Sequence, residues 1–399
     1  MTIIKRERQI MTINHSETVS HVKEESKTVT LGIATTPEEK LEIYRLRYQI
    51  YAEEMSKKFP NMDHNNKLLF DELDDWGVLL YAKSGSEMIG TLRINIGLLS
   101  DFSPFWVQVL SLKRFTQFSK NNQKFAYTSK FMVSQSYRNS TVSYLLSSKS
   151  YELCCKEQVP FNFGVCTFHL LRLYEQFGFR RFGRNFVDDG YGLLAPYVLL
   201  VDDIEHLRTV RSPFFRQARK RNCLENQALK WFNTEFIETS NIINSQLVSQ
   251  EDLWMFLHAR FGASPNQTIP LLQGLSEEEA IKFIHCCGIV VQCLPGDHLT
   301  FQGDTSYALN ILISGNLKSI HASQSDSHVI LPGQSFGANG LVHHPMHTED
   351  IIAVTDTELL VLSSLAFPKF LHSYPEIANK IIQNQKKKLT IKLDTKNVK

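Results

Sequence analysis

The chain has 399 residues, 43% hydrophobic and 21% charged, and 43 Lys and Arg stand against 41 Asp and Glu for a formal charge of +2. That length exceeds one ordinary core, so two domains of about 150 to 200 residues are expected, and the near-neutral balance removes any global electrostatic case for nucleic acid or a membrane surface. Apolar runs stay far short of the roughly 18 residues of a spanning helix, Tyr191 to Val201 being the best and containing Pro196.

The N-terminus, Met1 to Ile10, lacks the long apolar core of a signal peptide. The seven cysteines are odd in number and form no C-x-x-C pair; they read as free thiols in a reducing cytoplasm. Residues 1–29 are polar and aperiodic and are expected to be a flexible lead-in. Val29 to Ala34 reads as a strand, and Thr35 or Thr36 followed by Pro37 supplies an N-cap and first turn for a helix running from Glu38 to Met55. Gly77 to Ala82 and Met88 to Asn95 form a hairpin around Lys83 to Glu87. The aromatic segment Leu98 to Lys124 follows. Phe131, Met132 and Val133 end a half-buried strand, Ser134 to Ser140 form a polar loop, and a helix begins near Thr141. A strand, a tight loop and a helix start converge backbone N–H groups on one anion, so this is a candidate phosphate cradle.

The slots Arg138, Asn139, Ser140, Thr141, Val142 and Ser143 resemble the pyrophosphate-binding signature of the GNAT acyltransferase superfamily. Thr141 and Ser143 stand where that signature has small residues. Leu170 to Phe179 is similar to its second signature, with Tyr174 where many members carry a tyrosine that protonates the leaving thiolate. Three further segments, Tyr44 to Tyr51, Phe70 to Asp75 and Ile89 to Arg93, resemble the branch that contains autoinducer synthases and N-acyl amino acid synthases. The resemblance implies an acyl-CoA or acyl-carrier-protein thioester as donor and a small-molecule amine as acceptor. It also implies a donor cradle of Val133 and Arg138 to Ser143, and substrate contacts from Arg47, Tyr51, Trp76, Arg93 and Phe131. The aromatic segment becomes an acyl-pocket wall or, equally, a surface helix packed on the sheet. The branch carries a catalytic Glu where this chain has Tyr127; a tyrosine with pKa near 10 is a poor base, so Asp71 and Asp74 are the substitute candidates. The acyltransferase domain is expected over 30–223. Its basic end, Arg208 to Arg221, is either a solvated face or a docking surface for an acidic acyl carrier protein. No aromatics interleave with it as in a nucleic-acid reader.

A helical linker is expected over 224–264. From 265 to 388, short strands between Gly and Asp turns argue an antiparallel barrel or jelly roll. Leu294 to Asp304, Ile313 to Leu317 and Leu331 to Gly337 are similar to the cyclic-nucleotide-binding domain, followed by a basic tail at 389–399. The ligand slots differ: Ala338 follows Phe336-Gly337 where the family has Glu, His347 fills the Arg slot, and Thr348 and Glu349 follow. Cyclic-nucleotide binding is therefore expected to be weak or absent, and the domain to regulate, dock or dimerise. His343, His344, His347 and Glu349 lack a well-spaced fourth ligand, so no metal site is expected. The fold class is α+β: a mixed sheet flanked by helices, then a β jelly roll. The leading function is N-acyl transfer to an amino acid or similar amine. The alternatives are a cyclic-nucleotide-regulated protein lysine acetyltransferase and a non-catalytic sensor or scaffold.

Overall fold

The computed structural model describes residues 28–120, 122–138, 140–221, 227–320 and 329–396. Most of the expected lead-in lies outside that set, and its last residue, Val29, opens the first strand.

The first half is a mixed sheet of eight strands. Its path runs β1 (Val29–Ile33), β2 (Val78–Ser84), β3 (Glu87–Gly97), β4 (Phe125–Val133), β5 (Phe161–Cys166) and β6 (Gly192–Leu200), with two short strands, Arg180–Arg181 and Phe186–Asp188, paired to β6. Among the described residues only β4 and β5 pair parallel. Helix α1 (Pro37–Tyr48) starts in a capping box: the Thr36 hydroxyl accepts from the Glu39 N–H at 3.2 Å, and the Glu39 carboxylate accepts from the Thr36 N–H at 3.1 Å. The predicted continuation to Met55 is helical but not α. Gln49 to Glu54 form a π turn in which the Met55 N–H donates to the Ile50 carbonyl at 2.9 Å. Such a turn re-aims the side chains that follow it.

Consecutive residues of a strand face opposite ways, and both faces of this sheet are covered. Leu80, Leu92 and Ile94 join Val142 and Leu146 of helix α2 (Val142–Lys156) in one core, whereas Leu79 packs with Ile43 of α1 on the other side. The central strand β3 is thus buried along nearly its whole length. Helix α3 (Leu171–Phe177) ends at Gly178, whose φ of +105° gives the left-handed cap that only glycine takes without strain.

The second half begins with helices α4 (Gln250–Phe261) and α5 (Glu277–Cys287), the latter capped by Ser276 and Glu279 as the sequence predicts. Strands β7 (Gly288–Cys293), β8 (His298–Thr300), β9 (Ala308–Ser314), β10 (Leu317–Ile320), β11 (Asp350–Ala353) and β12 (Thr357–Ser363) follow. They form two antiparallel sheets, β7-β12-β9 with the short strand Ser335–Phe336 at its edge, and β8-β11-β10. Helices α6 (Phe367–Ser373) and α7 (Pro375–Lys396) close the chain, so residues expected to be a basic tail continue the last helix.

Along β9 the faces part cleanly. Leu309, Ile311 and Ile313 meet the helices, and Ala308 and Leu312 point into the roll. The roll interior, including Leu312, Ile351 and Val361, belongs to the same apolar cluster as Val133, Tyr174 and Tyr197 of the first half. Polar bonds seal the junction. Arg181 Nε pairs with Glu175 at 2.8 Å while its Nη1 donates to the Val290 carbonyl at 2.8 Å, and the Ser363 hydroxyl donates to the His169 carbonyl at 2.6 Å. Among the described residues no helix is long and apolar enough to cross a membrane.

Candidate active site

The site grows from the divergence of β4 and β5. Their parallel ladder pairs Ala126 with Asn162 and Tyr127 with Phe163, and the strands part beyond that point. On its other edge β4 carries a bulge: Thr91 pairs with Met132 and Arg93 with Ser129, so two residues oppose Leu92. Lys130 sits in that bulge at φ +51°, in the left-handed region. A bulge takes one residue out of the ladder and re-aims its side chain.

Lys130 reaches into a network of charges. Its ammonium lies 3.1 Å from Asp71 and 2.9 Å from the Tyr191 hydroxyl. Arg93 pairs with Asp71, holds Asp74 at 3.0 Å and donates from Nε to the Ser129 hydroxyl at 3.0 Å. Arg47 grips both Asp74 oxygens at 2.9 and 2.8 Å. Arg47, Asp74 and Arg93 are almost wholly buried, with side-chain exposures of 0, 2 and 1%. The segment Phe70 to Asp75 folds to suit: the Asp71 carboxylate accepts from the Leu73 N–H at 3.0 Å, and Asp74 accepts from the Asp71 N–H at 2.9 Å.

Burial presses the Asp71 carboxyl upward, but Lys130 and Arg93 outweigh it and hold it well below the usual carboxylate range. For Arg93 burial acts to release the proton, and Asp74 and Asp71 reverse that, raising its pKa. Asp71 is therefore a persistent anion and a weak proton acceptor. Three rings surround the Lys130 ammonium, with centroids of Tyr191, Phe59 and Tyr51 at 5.3, 5.4 and 5.7 Å. That spacing suits cation–π attraction. Gly190 makes room for Phe59, since a Cβ there would lie 1.9 Å from the ring.

Beside this network opens a cavity of about 560 Å³, within the range of ligand sites. Of the residues the sequence singles out, Tyr51, Asp71, Arg93, Tyr127, Phe131, Tyr174 and, from the expected nucleotide pocket, His347 line it. Tyr127 packs on Trp106 at 4.6 Å, and burial pushes its phenol well above the ordinary range, so it holds its proton. Tyr174 stacks on Tyr197 at 4.3 Å, and burial raises its phenol too. Arg47 and Asp74 stand behind the wall as support. Trp76 lies elsewhere, edge-on to Phe102 at 5.4 Å.

The candidate cradle is set apart from the cavity. Arg138 donates from Nε to the Val133 carbonyl at 3.1 Å and pairs through Nη2 with Glu54 of the π turn at 2.7 Å. The Ser140 hydroxyl accepts from the Val142 N–H at 3.2 Å. Thr141 is the N-cap residue of α2, Val142 is buried in the core, and the Ser143 carbonyl accepts from Ser147 one turn on. Asn139 lies outside the described residues.

The sequence reading passed over several residues that meet here. Lys130, Phe59 and Tyr191 form the cage, and His169 lines the cavity with its Nδ1 3.1 Å from the Thr167 hydroxyl. Burial, then His344 and Lys57, lower the His169 pKa to about 3, so its ring is neutral. From the roll come Asp304, 2.7 Å from Lys57, and His347. A basic residue inside a strand of otherwise apolar and small neighbours was the available signal for Lys130. His169 carries none without tertiary contacts, whereas His347 was singled out for the nucleotide pocket and not for this cavity.

In the roll, Phe336 is buried and Thr348 exposed. Gly337 takes φ +67°, and a Cβ there would lie 2.9 Å from His347 Nδ1. That nitrogen accepts the Ala338 N–H at 3.0 Å. Burial lowers the His347 pKa, with Lys57 adding to the effect and Asp304 and Glu349 opposing it. Among the described residues no group of His, Cys, Asp and Glu could hold a metal ion.

The splayed sheet, the bulge and the strand–loop–helix define an acyltransferase fold of the GNAT class, joined to a β roll. Family models agree: an acetyltransferase (GNAT) domain matches residues 46–148 and a cyclic nucleotide-binding domain matches residues 290–374. The chain thus couples a GNAT acetyltransferase domain to a cyclic nucleotide-binding domain. No curated protein matches it. Similar solved structures include FeeM, an N-acyl amino acid synthase from uncultured soil microbes, at 11% identity and TM-score 0.36, covering 44% of this chain and 92% of that one. TofI in a ternary complex with an inhibitor and MTA gives 15% identity and TM-score 0.35, over 46% of this chain and 96% of that one. The catabolite activator protein of Thermus thermophilus gives 23% identity and TM-score 0.29, over 32% of this chain and 60% of that one.

Proposed function

We propose that the chain is a cytoplasmic N-acyltransferase that moves a fatty acyl group from an acyl-carrier-protein or acyl-CoA thioester to the amine of an amino acid or similar small acceptor. The observation that carries this reading is the Asp71–Arg93–Lys130 network at the mouth of the splayed strands, beside a cavity lined by aromatic rings. In the reaction the amine nitrogen attacks the thioester carbonyl carbon, the C–N bond forms, the C–S bond breaks, and the thiolate takes up a proton. The Lys130 ammonium is suited to stabilise negative charge on the carbonyl oxygen. Tyr174 lines the cavity where the resemblance puts the group that protonates the leaving thiolate. The fixed anion Asp71 orients Lys130 rather than taking the amine's proton, so the amine loses that proton to water. The loop Val133 to Ser143 and the start of α2 offer a helix dipole to the donor's phosphate. The basic segment Arg208 to Arg221 would dock an acidic carrier protein, and the C-terminal domain is a candidate dimer contact.

The test is thiol release and product mass with long-chain acyl-carrier-protein, long-chain acyl-CoA and acetyl-CoA against mixed amino acids. An N-acyl amino acid formed from a long-chain donor is the expected product. A second reading, a cyclic-nucleotide-regulated protein lysine acetyltransferase, is favoured by the match to a cyclic nucleotide-binding domain; transfer from acetyl-CoA to protein lysines alone would establish it. No thiol release from any donor would leave a sensor or scaffold.

A further inference from the structure

Three observations on the roll remain outside that reading. The first is that the cavity is shared. The roll supplies Phe301, Asp304, Tyr307, Asn310 and His347 to its wall, facing the segment around Tyr51 to Asn61 and the hairpin around Tyr191. Phe301 fits against Gly192, where a Cβ would lie 3.4 Å from its ring. No described residue of the loop 134–143 lines this cavity. A donor held by that loop therefore leaves the half beneath the roll to the other substrate.

The second is Asn310. It lies on the inward face of β9 between Ala308 and Leu312, both in the shared core, and it lines the cavity. Its side-chain amide makes no hydrogen bond to another described residue. The half-buried amide faces the cavity and is free to pair with a group that enters it. An amide offers both donors and an acceptor, and the group that answers it best is another amide.

The third is that the roll's phosphate position is occupied from within. The His347 imidazole takes the Ala338 N–H at 3.0 Å, and its ring lies over Gly337. Burial and Lys57 hold the His347 pKa down against Asp304 and Glu349, and Asp304 is already paired with Lys57 at 2.7 Å, so His347 does not offer the fixed positive charge a cyclic phosphate would need. The roll interior is closed to a cyclic phosphate and open to a neutral polar group.

We infer that the inside of the C-terminal roll is the far wall of the acceptor pocket, and that the acceptor is a primary amine whose uncharged, amide-bearing body reaches Asn310. This rests on the acyltransferase reading and adds to it a class of acceptor and a role for the second domain: the roll shapes the pocket rather than sensing a nucleotide.

The experiment uses the full chain with a fixed long-chain thioester and three probes: glycine, glycinamide and glycylglycinamide. Wild type should show a KM for glycylglycinamide at least about ten-fold below that for glycine. Asn310→Leu should raise the glycylglycinamide KM by about ten-fold or more while the thioester KM moves less than about two-fold. Asn310→Ala, a truncation toward open space, should act in the same direction and guards against misfolding of the leucine variant. An active enzyme whose amine KM is the same in all three proteins overturns the proposal. So does calorimetric binding of 3′,5′-cyclic AMP that competes with glycylglycinamide without change at His347→Arg. Absence of thiol release from every thioester would remove the acyltransferase reading and this proposal together, an outcome distinct from activity that ignores Asn310.

Discussion

At Asp74 two guanidinium groups converge on one carboxylate away from water, Arg47 through both oxygens and Arg93 through one. Buried charges are tolerable only while every partner is present. Arg47→Ala leaves Asp74 under-compensated and should cost about 3 to 5 kcal/mol, read as a lower urea midpoint with little change in slope. Lys130→Met tests the other end of the network, where the ammonium faces the cavity. It should lower kcat by about 100-fold or more with a smaller change in donor KM. His169 gives a pH signature. Its folded pKa of about 3 lies below the ordinary value near 6.5, so the unfolded chain takes up a proton first. Stability tied to this group is intact above about pH 6.5 and falls as the solution is acidified toward the folded value. The loss should be about 2 kcal/mol between pH 6.5 and 5, and denaturant titrations of His169→Gln should lack that part of the slope. These residues differ in how legible they were. Arg93 announces itself as a charge in an otherwise apolar strand, and Arg47, Asp71 and Asp74 fall in the segments that carry the family resemblance. His169 and Asn310 look like ordinary loop or strand residues until the chain returns to place them around one cavity, and His347 is marked by its slot in the roll but not as a wall of that cavity.

Elements ruled by local chemistry were readable, and elements bent by their neighbours were not. The capping boxes at Thr36 and Ser276 and the glycine cap at Gly178 follow from side-chain reach of three or four residues. The π turn after Tyr48 is different: Glu54 pairs with Arg138, 84 residues away, and Tyr51 joins the cage around Lys130. No propensity encodes that. The aromatic segment Leu98 to Lys124 divides similarly. Phe105 and Trp106 reach the cavity, whereas Phe115 sits among Phe161, Phe163 and Trp231 with centroids about 5 Å apart. One pattern of apolar residues serves both a pocket wall and a packed core. In the roll, the β9–β10 turn rests on Gly315 at φ +95°, where a Cβ would lie 2.4 Å from the Asp356 carbonyl. Gly315→Ala combines backbone strain with a backbone clash and should lower the melting temperature by several degrees, about 2 kcal/mol or more.

For the whole molecule the decisive residue is Arg181. It is paired with Glu175, donates across the junction to the carbonyls of Val290 and Ile243, and is 9% exposed. Arg181→Ala strands Glu175 and those carbonyls away from water. Calorimetry should show one transition for the wild type and a broadened or split one for the variant. The apolar cluster that runs from Tyr174 through Val361 has an additional consequence. A polypeptide cut in the connecting segment near residue 264 would turn the underside of the acyltransferase sheet into an adhesive surface, and it should be recovered in inclusion bodies rather than as free enzyme. The two halves cannot be traded like cassettes with another receptor module, because a replacement would have to bring the mating contour with it.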